Sequence, residues 1–110
     1  MSDRMAKVDE LIAQQLGQII ISEVELPKEA IVTITKVKTS PDLKQAKVFL
    51  SILPESEQKR IMSLLINQAY EFQKILNERL TLRNTPKLKF FIDDSGQQAA
   101  ELERLLDSLK

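Results

Sequence analysis

The residues that could carry chemistry in this chain are carboxylates and cations, because the sequence contains neither histidine nor cysteine. The usual zinc ligands, the thiol nucleophile and the general base that titrates near neutral pH are therefore missing. Asp93 and Asp94 form a tight pair, but no other residue has the spacing to complete a metal or acid–base site around them. Gly17 and Gly96 stand alone and build no phosphate loop. The sequence predicts a protein that is not an enzyme, with no metal and no cofactor.

Basic residues are unevenly distributed, although the 16 basic and 16 acidic residues of the whole sequence cancel. Between residues 74 and 89 there are five cations and one acid, Glu78, and further cations lie near 4–7 and 36–38. Two interpretations stay open, a solvated charged face and a surface that contacts nucleic-acid phosphates. The candidates for phosphate contacts are Arg4, Lys7, Lys36, Lys38, Lys74, Arg79, Arg83, Lys87 and Lys89. Tyr70 and Phe49 carry rings able to stack on bases, although core packing is the commoner use of a residue such as Phe49.

Hydrophobic periodicity predicts the helices that must position these residues. Apolar residues at helical spacing indicate a helix over 3–21, a longer one over 57–80 and a last amphipathic helix over 97–109. Pro86 ends the helical pattern before the basic stretch that follows it. The leucines of 97–109 fit a helix docked on the domain or, as the alternative, a helix that binds a protein partner.

Alternation of apolar and polar residues predicts three strands. The segments 30–38 and 44–52 are joined by a polar turn and should form an antiparallel hairpin, with a bulge where the apolar parity changes between Ile34 and Val37. In 87–93, Lys87, Lys89 and Phe91 alternate with apolar neighbours. Such a strand is apolar on one face and partly basic on the other.

The order α-β-β-α-β plus a C-terminal helix predicts one α+β domain over 1–110, with helices on one face of a three-stranded mixed sheet. The third strand follows a helix, so a right-handed crossover can place it parallel to a hairpin strand. The second face of the sheet should stay wet. No apolar run approaches the roughly 18 residues of a membrane span, and the charged N-terminus lacks a signal-peptide core, so we expect a cytoplasmic protein that does not bind membranes.

Five stretches of the sequence stand in a specific order and spacing: RMAKV at 4–8, VTITKV at 32–37, DLKQAKVFLS at 42–51, LRNTPKLKF at 82–90 and DDS at 93–95. By these stretches the whole chain resembles the bacterial ribosome-binding factor A family, and its order of elements resembles a type II KH domain. The resemblance spans about residues 4–106.

The resemblance implies a small, monomeric assembly factor that binds the free, immature 30S ribosomal subunit and the 16S rRNA precursor in its 5′-terminal helix region. It further implies a part in late maturation and precursor-end processing, importance in the cold, and release promoted by a small-subunit assembly GTPase. Arg83 and Lys87 lead the expected contacts, since they flank the Pro86 turn and match family positions. The alternative function is a protein–protein adaptor that acts through the amphipathic helix over 97–109.

The long predicted helix contains the position at which the family departs from ordinary KH domains. Those domains hold nucleic acid at a Gly-x-x-Gly loop, which the family replaces by an interhelical kink at Ala-x-Gly. Here the residues are Ala69, Tyr70 and Glu71, so the glycine is absent. Propensity alone favours one uninterrupted helix, whereas the resemblance implies a kink after Ala69, and we expect the kink because packing overrides weak propensity. Glu71 also places a negative charge where the family's glycine approaches RNA, which argues against base contacts there.

Overall fold

The structure is a computed structural model and describes residues 2–81 and 85–93. Its elements, in chain order, are α1 (Ser2–Glu23), β1 (Ile31–Thr39), β2 (Gln45–Leu53), a short 3-10 turn (Glu55–Glu57), α2 (Gln58–Asn67), α3 (Ala69–Arg79) and β3 (Lys87–Ile92). The predicted helix over 97–109, and Arg83, lie outside the described residues.

The three strands form one mixed sheet in the order β1-β2-β3, which confirms the predicted α+β class. β1 and β2 pair antiparallel as a hairpin, and β3 pairs parallel to the central strand β2. The β1–β2 register shifts between Ile34 and Lys36, so Thr35 is the extra residue of the predicted bulge. The hairpin turn closes through a hydrogen bond of 2.8 Å from the Ser40 amide to the Gln45 carbonyl.

The core lies between the helices and one face of the sheet. Ile12 and Leu16 of α1 pack there with Val48 and Leu50 of β2, and all four side chains are fully buried. Among the described residues no polar or charged side chain is buried, so burial of apolar area is what holds the two layers together. The opposite face of the sheet is not covered by any described helix and faces water, as predicted.

The long predicted helix is divided, so the prediction of one uninterrupted helix is wrong and the expected kink is confirmed. Gln68 leaves helical geometry with φ −100° and ψ 7°, one residue before the position that the family resemblance implies. Ala69, Tyr70 and Glu71 form the first turn of α3. The break loses little backbone bonding, because the Gln68 amide still donates to the Leu64 carbonyl at 3.1 Å. Since φ stays negative, no glycine is needed there.

The physical reason for the break is that the two halves cover different neighbours. α2 buries Ile61 and Leu65 and packs on β2 and the 3-10 turn, whereas α3 buries Phe72 and Leu76 and packs on α1 and β3. A single straight helix would have to pack on β2 and the 3-10 turn with one half and on α1 and β3 with the other, without changing direction. Changing direction at Gln68 lets each half point its own apolar pair into the core.

Candidate nucleic-acid interface

Five lysines stand on the wet face of the sheet, all exposed. They are Lys36 and Lys38 of β1, Lys47 of β2, and Lys87 and Lys89 of β3. The three strands, whose residues are all described, contain no acidic residue. Because side chains alternate between the two faces of a strand, the apolar residues between these lysines point to the helices and the lysines point to water.

Strand register brings three of these lysines side by side. Lys38 pairs with Lys47 across the antiparallel ladder, and Lys47 pairs with Lys89 across the parallel one. Like charges directly opposite each other destabilise a sheet, so this row works against folding. Within residues 2–81 and 85–93 the single ion pair is Arg60–Glu57, at 3.3 Å, which lies at the start of α2. No described carboxylate therefore neutralises the row, and a polyanionic ligand would.

The row next to the lysines is aromatic. Phe49 pairs with Phe91 in the register, and their rings stack with centroids 5.6 Å apart and planes 28° apart. The Lys36 ammonium lies 4.6 Å from the centroid of the Phe49 ring, a cation–π distance. Phe49 is half-buried on the outer face, so of its two possible uses the commoner one, core packing, does not apply. Ala46, Val48 and Leu50 occupy the core-facing positions of β2.

Asp93 marks the far end of this basic and aromatic area. Its amide donates to the Leu50 carbonyl at 2.7 Å, and its carboxylate accepts a hydrogen bond from the hydroxyl of Thr35, the bulge residue. The bulge thus directs the Thr35 side chain toward the end of β3. Asp93 therefore directly follows the end of β3 and fixes it to the hairpin.

A groove of about 420 Å³ lies beside the sheet, between the first turns of α3 and the start of β3. Tyr70, which is 80% exposed, and Lys87 line it. Gln73 also lines the groove and holds the chain that enters β3, donating to the Pro86 carbonyl at 3.0 Å and accepting from the Leu88 amide at 2.9 Å. Lys87 therefore borders both the groove and the sheet face.

The remaining candidate cations lie on the helices. Arg4 and Lys7 are exposed on the first turns of α1, which an Asp9–Thr39 hydrogen bond of 2.9 Å ties to the end of β1 near Lys38. Lys74 is exposed on α3. Arg79 donates to the Gln15 side-chain oxygen at 3.2 Å, so it bridges α3 and α1 instead of standing on the sheet.

The structure thus brings Lys36, Lys38, Lys87 and Lys89 together and adds Lys47 and Phe91, which were not selected from the sequence. Alternation along the strands indicates the face of both residues. Lys47 lies two residues before Phe49, and Phe91 lies two residues after Lys89, so each shares a strand face with a residue of the candidate site. Alternation in the sequence does not give the strand register, and it is the register that makes Lys47 and Phe91 neighbours of the other site residues.

The described part of the chain, residues 2–81 and 85–93, contains neither a candidate metal site nor a candidate membrane span. No group of three or more Asp, Glu, His or Cys residues there could hold a metal ion. None of the helices described is both long enough and apolar enough to cross a membrane.

Known proteins of similar sequence share one description. The family model described as "Ribosome-binding factor A" matches residues 4–106. A ribosome-binding factor A of Bdellovibrio bacteriovorus is 34% identical over 108 residues, which cover 97% of this chain and 81% of the relative. One from Coxiella burnetii is 36% identical over 107 residues, covering 97% and 90% of the two chains.

Solved structures of similar fold carry the same description. The crystal structure of ribosome-binding factor A from Thermus thermophilus superposes with a TM-score of 0.69 at 19% identity, covering 84% of this chain and 98% of that one. A homology model of the Thermus thermophilus factor, fitted into a cryo-EM map of its complex with 30S, gives a TM-score of 0.62 at 21% identity, covering 76% and 88%. At these identities the likeness concerns the fold, whereas the sequence matches concern the family. The chain belongs to the ribosome-binding factor A family.

Proposed function

We propose that this protein binds the 30S ribosomal subunit and contacts its 16S rRNA through the lysines on the wet face of the sheet. The observation that carries the proposal is the set of five exposed lysines on strands with no acidic residue, in a chain whose net charge is zero. Such segregation costs stability in the free protein and stabilises a complex with phosphates. Membership in a family of ribosome-binding factors supports rRNA as this polyanion.

The finer steps of the proposal come from the family resemblance. The protein would bind the free, immature subunit and the 16S precursor in its 5′-terminal helix region, support late maturation and precursor-end processing, and matter most in the cold. It would act in the cytoplasm as a monomer and leave with the help of a small-subunit assembly GTPase. Binding alone, without turnover of RNA or nucleotide, would be its contribution.

Sedimentation of purified 30S subunits with the protein tests the proposal. Lys47→Gln combined with Lys89→Gln removes two charges from the lysine row. Lys28→Gln combined with Lys59→Gln removes the same net charge from exposed positions outside the sheet and is the matched control. We expect the first pair to weaken co-sedimentation by about thirtyfold, since two close charge pairs are lost at about 1 kcal/mol each in water. The control should bind like the natural protein.

Equal losses in both double variants would mean that net charge, and not the sheet face, sets the affinity. No association of the natural protein with 30S subunits at any salt concentration would reject the function itself. In that case the alternative function, a protein–protein adaptor acting through residues 97–109, is the one to test. Leu105→Glu should then abolish association with the protein partner.

A further inference from the structure

Two phenylalanines stand on the side of the sheet that no described helix covers. Phe49 and Phe91 are each partly exposed, although phenylalanine is among the residues most often buried. Their rings stack on each other, and Lys36 lies over Phe49. The row Lys36, Phe49, Phe91 therefore crosses all three strands, with Phe91 at one end of it.

Among the described residues, Phe91 has an aromatic partner on one side, Phe49, and no cation over its ring. Phe49 is flanked by Lys36 and by Phe91, so both of its sides are engaged. β3 is an edge strand of the sheet, and the described chain places no strand beyond it. Because the two rings stack across the strands, a planar group added outside Phe91 would continue the stack past the edge of the sheet.

The neighbouring lysine row is placed to hold the phosphates of such a group. Lys89 precedes Phe91 by two residues on the same face, and Lys47 precedes Phe49 in the same way. Two residues along a strand span roughly 7 Å, within reach of the backbone of a nucleotide whose base is on Phe91. A ring beside ammonium groups is the arrangement by which proteins bind unpaired nucleic-acid bases.

We propose that this face is a stacking platform for single-stranded RNA, in which an unpaired base stacks on Phe91 while Lys47 and Lys89 contact the adjoining phosphates. The proposal rests on the proposed function in that the ligand is RNA, and it adds the class of RNA. A duplex fits the lysines but not the ring, because its bases are already stacked on one another. The platform is separate from the groove beside α3, since it uses the outer face of the sheet.

Fluorescence anisotropy with a labelled oligoribonucleotide tests the platform. The probe has about 12 nucleotides without self-complementarity, within the usual site sizes of single-strand binders, and is used alone and annealed to its complement. Phe91→Leu should weaken binding of the single strand about tenfold, the size expected for one base–aromatic stack. It should leave duplex binding unchanged. Phe91→Tyr keeps the aromatic face and should bind like the natural protein.

Phe90→Leu is the matched control, because Phe90 lies on the same strand but faces the core, edge-to-face with Phe72 at 6.2 Å. It should lower thermal stability and leave RNA affinity unchanged. Lys89→Gln should weaken both RNA forms and lower the slope of log affinity against log salt by about one. If Phe91→Leu binds the single strand as well as the natural protein does, or weakens the duplex equally, the stacking platform is rejected and the ring pair is a structural contact of the sheet.

Co-sedimentation with 30S subunits separates this outcome from failure of the proposed function. Natural protein that binds 30S, together with Phe91→Leu that binds the single strand normally, leaves the function standing and overturns the platform. The opposite result is that the natural protein does not bind 30S subunits, while Phe91→Leu loses binding of the single strand. That result supports the platform and overturns the proposed function.

Discussion

At the scale of single residues, Gln73 shows how one side chain ties two elements together. Its amide group donates to the Pro86 carbonyl and accepts from the Leu88 amide, so the entry of β3 is fixed to α3 at the edge of the groove. A half-buried backbone group that loses its partner costs more than the bond contributes when formed. The position of Lys87 between these two backbone groups therefore depends on Gln73.

Gln73→Leu should lower the free energy of unfolding by about 1–3 kcal/mol, since it leaves the Leu88 amide and the Pro86 carbonyl without a partner. Gln73→Glu keeps the acceptor for Leu88 and loses the donor to Pro86, so its loss should be smaller. Gln14→Leu, at an exposed position of α1, is the control and should change little. Urea unfolding measures all three, and a Gln73→Leu variant as stable as the natural protein would contradict this role.

Asp42, in the hairpin turn, has a lowered pKa. The Ser40 hydroxyl donates to its carboxylate at 2.6 Å and the Lys44 amide at 3.1 Å, and these bonds hold the pKa of Asp42 below its ordinary value. A lowered folded-state pKa means that the turn gains stability above the ordinary carboxyl pKa and loses it as the pH falls through the lowered one.

Ser40→Ala removes the hydroxyl hydrogen bond that contributes most to lowering the pKa of Asp42, so this pKa should rise toward its ordinary value. NMR titration of the Asp42 carboxyl carbon measures the shift directly. Ser51→Ala, a serine of β2 outside the turn, should leave that titration unchanged. An Asp42 titration unaffected by Ser40→Ala would assign the shift to the Lys44 amide instead.

Glu71 stands exposed on the first turn of α3, in the helical segment that carries Tyr70 and borders the groove. Its charge should repel a phosphate backbone that follows Lys87. We expect Glu71→Gln to tighten binding of 30S subunits about twofold at low salt, the effect of removing one like charge at roughly 10 Å in water. Glu78→Gln, near the other end of α3, is the control for net charge. Identical gains from both changes would argue that no RNA passes near the start of α3.

At the scale of elements, the break at Gln68 sets which side of α3 faces the core. Phe72 is fully buried and touches Phe90 edge-to-face, whereas Tyr70, two residues earlier in the same helix, is 80% exposed. The same face carries Leu76. The orientation of α3 therefore depends on burial of the Phe72 ring in the core, and so does the position of the groove wall that α3 forms.

Phe72→Ala should lower the free energy of unfolding by about 3–5 kcal/mol, because it removes a large buried ring and leaves a cavity. Tyr70→Ala should change stability little. Thermal or urea unfolding of the two variants compares inner and outer faces within one helix. Similar losses for both would mean that α3 is rotated from the orientation described.

At the scale of the whole molecule, a net charge of zero conceals a sheet with five lysines and no acidic residue. The acids of the described residues are on helices and loops, so the field of this part of the molecule is polarised. A polarised neutral protein can bind a polyanion strongly at one face while its other surfaces repel it. Orientation on the ligand then follows from charge alone.

Binding of single-stranded RNA should therefore weaken steeply with salt. If about four or five lysines contact phosphates, the slope of log affinity against log salt should be roughly −3, at about −0.7 per contact. Anisotropy titrations at several salt concentrations measure it, and the Lys28→Gln, Lys59→Gln double variant should keep the same slope. A flat dependence would contradict phosphate contacts by the sheet face.

Several features of the protein follow from its sequence because they are local. Alternation along β2 separates Val48 and Leu50 from Lys47, and the parity change around Thr35 marks the bulge, since side-chain direction in a strand repeats every two residues. The spacing of Ile61, Leu65, Phe72 and Leu76 is helical on both sides of Gln68. The order of elements, the two-layer class and the family resemblance all rest on such patterns.

Tertiary structure alone decided the rest, because those features depend on residues far apart in the chain. The break at Gln68 has no propensity signal; it arises because α2 and α3 pack on different neighbours. Alternation puts Phe49 on the face of Lys47, but only the sheet register places it half-buried beside Phe91 on the side that no described helix covers. The lysine row exists only because strand register joins Lys38, Lys47 and Lys89, and register is set by the packing of one complete face of the sheet.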